Sequence, residues 1–152
     1  MTLFHQFAAA VLLVIVTLCL QCAVVAVLIN WLRRFMTRHI YELGPIRSAA
    51  LVLRLTIAII LLQGVVILLW ASFYRLQCFP SWELAFYFSG TSYSTVGYGD
   101  VVLPASWRLL GPLESMTGLL MCGVSVSLLV AVVNRLVEAR SSRNKQREHV
   151  IA

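Results

Sequence analysis

Three apolar runs without a charged side chain divide this chain. Residues 1–32 carry none, and a helix from about Phe7 to Ile29 is long enough to cross a bilayer, which takes roughly 20 apolar residues. The second run is Leu55 to Tyr74, with its helix expected to begin near Ser48 and Arg54 reaching back to the interface. The third is Ser115 to Asn134, flanked by Glu114 and Arg135, with Pro112 in the first helical turn, where a missing N–H costs little. The first run reads as a retained helix rather than a leader, because its positive residues follow it and no A-x-A site closes it.

The connections are patterned too. From Asn30 to Ser48, Trp31, Leu32, Phe35, Met36, Ile40 and Leu43 recur at helical spacing, while Arg34, Arg38 and Glu42 fall on another side. That pattern predicts a basic helix on the membrane surface, ended by Gly44-Pro45. Between the second and third runs, Ser81 is an N-cap candidate and Glu83 sits in the first turn, near the positive dipole end. About three turns fit from there to Tyr93, too short to span but right for a re-entrant helix buried in protein. Its aromatics Trp82, Phe86, Tyr87, Phe88 and Tyr93 form either a cuff around the following loop or a set of membrane-interface side chains.

Composition agrees. The chain is 61% hydrophobic and 12% charged, against about 45–50% and 25% for soluble domains. The net charge of +6 is not spread as nucleic-acid binding would need. Arg33, Arg34, Arg38, Arg47, Arg54, Arg135, Arg140, Arg143, Lys145 and Arg147 lie on one side of the three-span plan, and only Arg75 and Arg108 on the other. The positive-inside rule then puts the N-terminus outside and the C-terminus in the cytoplasm, in a plasma (cell inner) membrane. Basic residues of the linker and tail suit anionic lipid headgroups or simply fix topology. Cys19, Cys22 and Cys122 lie in apolar runs, and Cys78 is the one expected in a loop, where a disulfide between subunits is conceivable. No metal-ligand cluster or nucleophile–base pair stands out, so no enzyme and no cofactor is expected. No apolar run carries Arg or Lys at every third position, so no voltage-sensor helix is expected either.

The chemistry concentrates in Thr95-Val96-Gly97-Tyr98-Gly99-Asp100, in the outward connection. Gly97 and Gly99 permit positive φ, so successive carbonyls can face one axis and replace the hydration shell of an ion. The Thr95 hydroxyl adds a further oxygen. This segment resembles the potassium-channel family, whose filter signature is TVGYG. The resemblance covers about residues 45–137. It implies K+ held at Thr95, Val96, Gly97 and Tyr98, with Asp100 at the outer mouth, in a homotetramer. It also makes Tyr87 the aromatic partner of Asp100. Many relatives carry a bracing acid four positions before the filter threonine, and here that position is Thr91.

Glu114, Gly118 and Gly123-Val124-Ser125 resemble the inner helix of inward-rectifier-like channels, and the surface helix at 31–43 resembles their slide helix. Gly118 and Gly123 are then hinge candidates, or small residues for close packing. Cys122 stands where strong rectifiers carry a cavity acid. Ser125, Leu129 and Val133 are expected at the cavity wall on helical spacing.

The expected fold is an all-α membrane protein with three transmembrane helices, a re-entrant pore helix and a filter loop, assembled as a tetrameric pore. Its parts are an extra N-terminal helix (1–30), a basic interfacial linker (31–47), a pore domain (48–137) and a basic cytoplasmic tail (138–152). Within the pore domain the outer helix is 48–74, the pore helix 81–93, the filter 95–100 and the inner helix 109–136. The expected function is passive, potassium-selective conduction. The alternatives are a weakly selective cation channel and a nonconducting membrane scaffold or regulatory subunit.

Overall fold

The computed structural model describes residues 3–39 and 44–151. Four α-helices form: α1 (Leu3–His39), α2 (Pro45–Gln77), α3 (Trp82–Tyr93) and α4 (Leu110–Ile151), with a short 3-10 turn at Ala105–Trp107. Three apolar stretches, Gln6–Arg34, Ile46–Gln77 and Ala105–Ala139, are long enough to cross a membrane. The chain is an all-α membrane protein, and α3, with 12 residues, is too short to be a further span.

Three helices outrun their expected limits, α2 by three residues at each end of the expected 48–74. The surface helix expected over 31–43 is helical through His39 but continuous with α1, while Ile40–Leu43 lie outside the described residues. The inner helix, expected to stop at 136, runs on through the basic tail to Ile151. Neither 31–39 nor 137–151 contains a glycine or proline, so nothing local ends either helix. By contrast Gly44-Pro45 does punctuate: Pro45 starts α2 and Gly44 is its extended N-cap.

Packing follows one stripe per helix. In α2 the buried residues Leu51, Leu55, Ile59, Leu62, Val66, Trp70 and Tyr74 recur every three or four positions. In α1 the inward stripe is narrow, with Ala10, Thr17, Gln21 and Leu32 buried, while Phe7, Leu12, Ile15 and Val27 stay exposed. Two cores result. One joins Val66, Trp70, Ala71 and Tyr74 of α2 to Ala85, Phe88 and Tyr93 of α3, with Trp107 and Leu110. The other joins Leu32, Leu51, Leu55, Val132 and Leu136 at the far end of the bundle. Between spans, α1 and α2 are also tied by Trp70 Nε1 donating to Thr17 Oγ1 at 3.0 Å.

Candidate functional site

The TVGYGD strip hangs from the C-terminal end of α3. That helix starts as its sequence dictates: Ser81 is extended, its hydroxyl accepts from Leu84 N at 3.3 Å, and Glu83 occupies the first turn. At the other end the Gly90, Thr91 and Ser92 carbonyls accept from protein donors. Gly90 O accepts from Ser94 N, and Ser92 O accepts from Thr95 N at 3.0 Å and from the Ser115 hydroxyl of α4 at 2.7 Å. Thr91 O accepts from both Val96 N (2.9 Å) and Gly97 N (3.1 Å). Thr91 therefore does hold the strip, but by its backbone. Its hydroxyl turns back on α3 and donates to Tyr87 O and Phe88 O, both 3.0 Å away.

Beyond this junction the backbone alternates. Thr95, Gly97 and Gly99 have φ of 62°, 52° and 80°, while Val96 and Tyr98 do not enter positive φ. The two glycines bear this without a Cβ penalty. Thr95 is the one non-glycine with positive φ among the described residues, and a β-branched residue there stores about 1–3 kcal/mol of strain. The sequence alone pointed only to the glycines. From Ser94 to Asp100 the strip is exposed on the single chain, with Val96 at 51% and Tyr98 at 72%.

At the strip's end Tyr87 Oη donates to Asp100 Oδ2 at 2.7 Å, and Asp100 Oδ1 accepts from Val101 N at 3.0 Å. The bond to the Asp100 carboxylate raises the Tyr87 phenol above its ordinary range, so it stays a donor. The five aromatics of α3 split by face. Phe88 and Tyr93 are buried behind the strip, whereas Trp82, Phe86 and Tyr87 are exposed on the other side. Phe88 meets Tyr74 edge-on with centroids 5.1 Å apart, and Phe79 at 5.6 Å.

Behind α3 lies a residue whose part sequence reading missed. Glu114, read as the edge of the third span and as part of the inner-helix resemblance, is fully buried. Its carboxylate accepts from Tyr74 Oη of α2 at 2.8 Å and from Ser89 Oγ of α3 at 2.6 Å. Ser89 also lies 3.0 Å from Ile67 O. The available signal was a carboxyl beside an apolar run with no cation at helical spacing, but its partners are 25 and 40 residues away.

Of the two glycines singled out in α4, Gly118 is a contact point, since a Cβ there would run into the Tyr93 carbonyl oxygen. Gly123 faces open space. The helix passes through both without a break. Ser125, expected at a cavity wall, is instead buried against α2: its oxygen lies 3.4 Å from Gln63 Nε2, and it donates to Met121 O at 2.8 Å. Helical spacing gives which residues share a face, not which face points away from the bundle. Cys122 and Val133 are exposed, and Leu129 is half-buried. All four cysteines are free, and burial pushes the half-buried Cys78 thiol up to about 11, which disfavours thiolate formation.

A cavity of about 610 Å³ lies elsewhere, between α1 and the start of α4, lined by Phe7, Ala10, Trp107, Leu110 and Leu113 among others. Its wall is mostly apolar, with Gln6 and Ser106 as its polar side chains and no charged one, so the strip rather than this cavity is the candidate site.

A membrane bundle with a short helix feeding a glycine-bearing backbone strip is the architecture of an ion-conducting protein. The family model described as ion channel matches residues 54–135, more than half of the chain, and the protein belongs to that family. No curated protein and no solved structure matches the chain.

Proposed function

We propose that this ion channel is potassium-selective and conducts passively through a homotetrameric pore. The observation that carries this reading is the alternation of φ sign along Thr95-Val96-Gly97-Tyr98-Gly99. Positive and negative φ in turn bring successive carbonyls to one side of the strand, as a multi-site cation path requires. The Thr91 carbonyl fixes where that path begins, and the Tyr87–Asp100 bond fixes where it ends. One chain supplies one strip, exposed along its length. A bare strip cannot stand in lipid, because its unpaired polar groups would cost several kcal/mol each. Four copies around an axis, the number the family resemblance implies, enclose it. The Gly90, Thr91 and Ser92 carbonyls at the end of α3 accept from protein donors, and the dipole of the helix favours a cation beneath.

In this reading the domains are an extra first helix, a basic linker, a pore domain over 48–137 and a cytoplasmic tail. The strip lies at the outer mouth of a plasma-membrane channel. Anionic lipids meet the basic linker and tail, and neither a cofactor nor nucleic acid takes part. The deciding experiment is ion flux into liposomes holding the purified protein. Potassium uptake far exceeding sodium uptake is expected. Equal uptake of both makes it a weakly selective cation channel, and no uptake with a monomeric or dimeric protein makes it a scaffold.

A further inference from the structure

Gln21 lies in the middle of α1, a helix outside the stretch that the family model covers, and it is 2% exposed. An amide in a membrane span is costly unless it is paired. Both of its hydrogens go to one place. Gln21 Nε2 donates to Tyr93 Oη at 2.8 Å and to Gln63 Oε1 at 2.7 Å. Tyr93 Oη in turn donates to Gln63 Oε1 at 2.6 Å. The three polar groups close a triangle that joins α1, α2 and α3. Gln63 Nε2 extends it toward Ser125 of α4 at 3.4 Å. In this arrangement Gln21 gives both amide hydrogens, Tyr93 accepts one and donates its own, and Gln63 Oε1 accepts two. Gln21 Oε1, buried without a partner, is left over. That cost is tolerated while the other half of the amide is fully engaged.

The location gives the triangle its meaning. Tyr93 is the last residue of α3, two before Thr95, where the strained positive φ begins. Its carbonyl abuts Gly118, and its neighbour Ser92 accepts from Thr95 N and Ser115. The Tyr93 ring is thus a handle on the turn from which the filter starts, and Gln21 holds that handle from outside the pore unit. We propose that Gln21 is a positioning residue for the filter, acting through the Tyr93 hydroxyl. The first helix is then a built-in brace of potassium occupancy rather than an anchor. This rests on the potassium-channel reading above.

The test uses the full-length protein in detergent and in liposomes, with heat stability measured over a series of potassium concentrations. A bound ion protects the folded oligomer, so the half-protecting concentration reports filter occupancy. Q21M keeps the length and removes both donors, and Y93F removes the shared hydroxyl. Each is expected to raise the half-protecting potassium concentration by about two- to tenfold, the worth of one net hydrogen bond. The double variant Q21M/Y93F is expected to match Y93F alone in its potassium dependence, because without the Tyr93 hydroxyl Gln21 reaches only Gln63 of α2 and no longer α3. T17V, which loses the Trp70–Thr17 contact between α1 and α2 without touching α3, is expected to lower stability equally at all potassium concentrations.

Additive effects of Q21M and Y93F overturn the inference. So does a Q21M loss that is independent of potassium, or a T17V shift as large as that of Q21M. Should Q21M not assemble, Q21N is read in the same way: it keeps the amide and shortens the arm by one methylene. If the wild-type protein shows no potassium protection, the potassium-channel reading falls and the brace falls with it. If the wild type is protected and Q21M is unchanged, only the brace falls.

Discussion

The two faces of α3 are built on opposite terms. Its back is sealed: Ala85, Phe88, Ser89, Ser92 and Tyr93 are buried, and the Ser89 and Tyr93 hydroxyls end on Glu114 and Gln63. Its front, with Trp82, Phe86, Tyr87 and the strip from Ser94 to Asp100, is exposed. A single chain therefore finishes the holding half of the site and leaves the ion-facing half open. The back sets where the strip begins, and in the proposed tetramer the other copies decide what it encloses.

The comparison can be broken from the back. Gly118→Val drives a branched side chain into the Tyr93 carbonyl, a backbone atom that cannot swing aside. A loss of about 3 kcal/mol or more is expected, seen as failure to recover an assembled oligomer, whereas Gly123→Val, facing open space, assembles normally. Next comes Glu114→Leu. It strands the Tyr74 hydroxyl, while Ser89 retains Ile67 O. Destabilisation of about 1–3 kcal/mol is expected, with Glu114→Gln losing less because its amide oxygen still accepts; thermal midpoints of the three proteins check this order.

The front gives the smallest effect on stability. Tyr87→Phe removes the bond to Asp100 at the exposed end of the strip. The thermal midpoint should not move, while current through the channel should decay faster during sustained opening. A pH series sharpens this. A phenol raised above its ordinary value keeps its contribution below about pH 10 and loses it as pH climbs through the raised value. Wild-type decay should thus approach that of Y87F only in strongly alkaline solution. A matching decay already at neutral pH would mean that this bond does not steady the strip.

What could be read beforehand was local. The three spans, the Ser81 cap and the Gly44-Pro45 break depend on composition or on near neighbours, while the pairing of Tyr87 with Asp100 was implied by the family resemblance. The Glu114 pairings and the Gln21 triangle depend on which helices meet, and no spacing within one helix encodes that. Ser125 shows the same limit, since helical spacing did not say that it would pack against Gln63 of α2. The aromatics of α3 divide because they occupy both sides of one helix, so their number did not say how many would pack. Thr95 escaped for another reason. Its positive φ is imposed by the contacts before and after it, against its own preference.

The buried carboxyl also bears on how the chain is made. Glu114 lies within the third candidate span, so a ribosome-fed helix must carry an acid into lipid. Both hydroxyls that receive it, Tyr74 and Ser89, precede it in the chain. The acceptor is synthesised last, after its donors. Both donors are thus already made when the carboxyl that needs them leaves the ribosome.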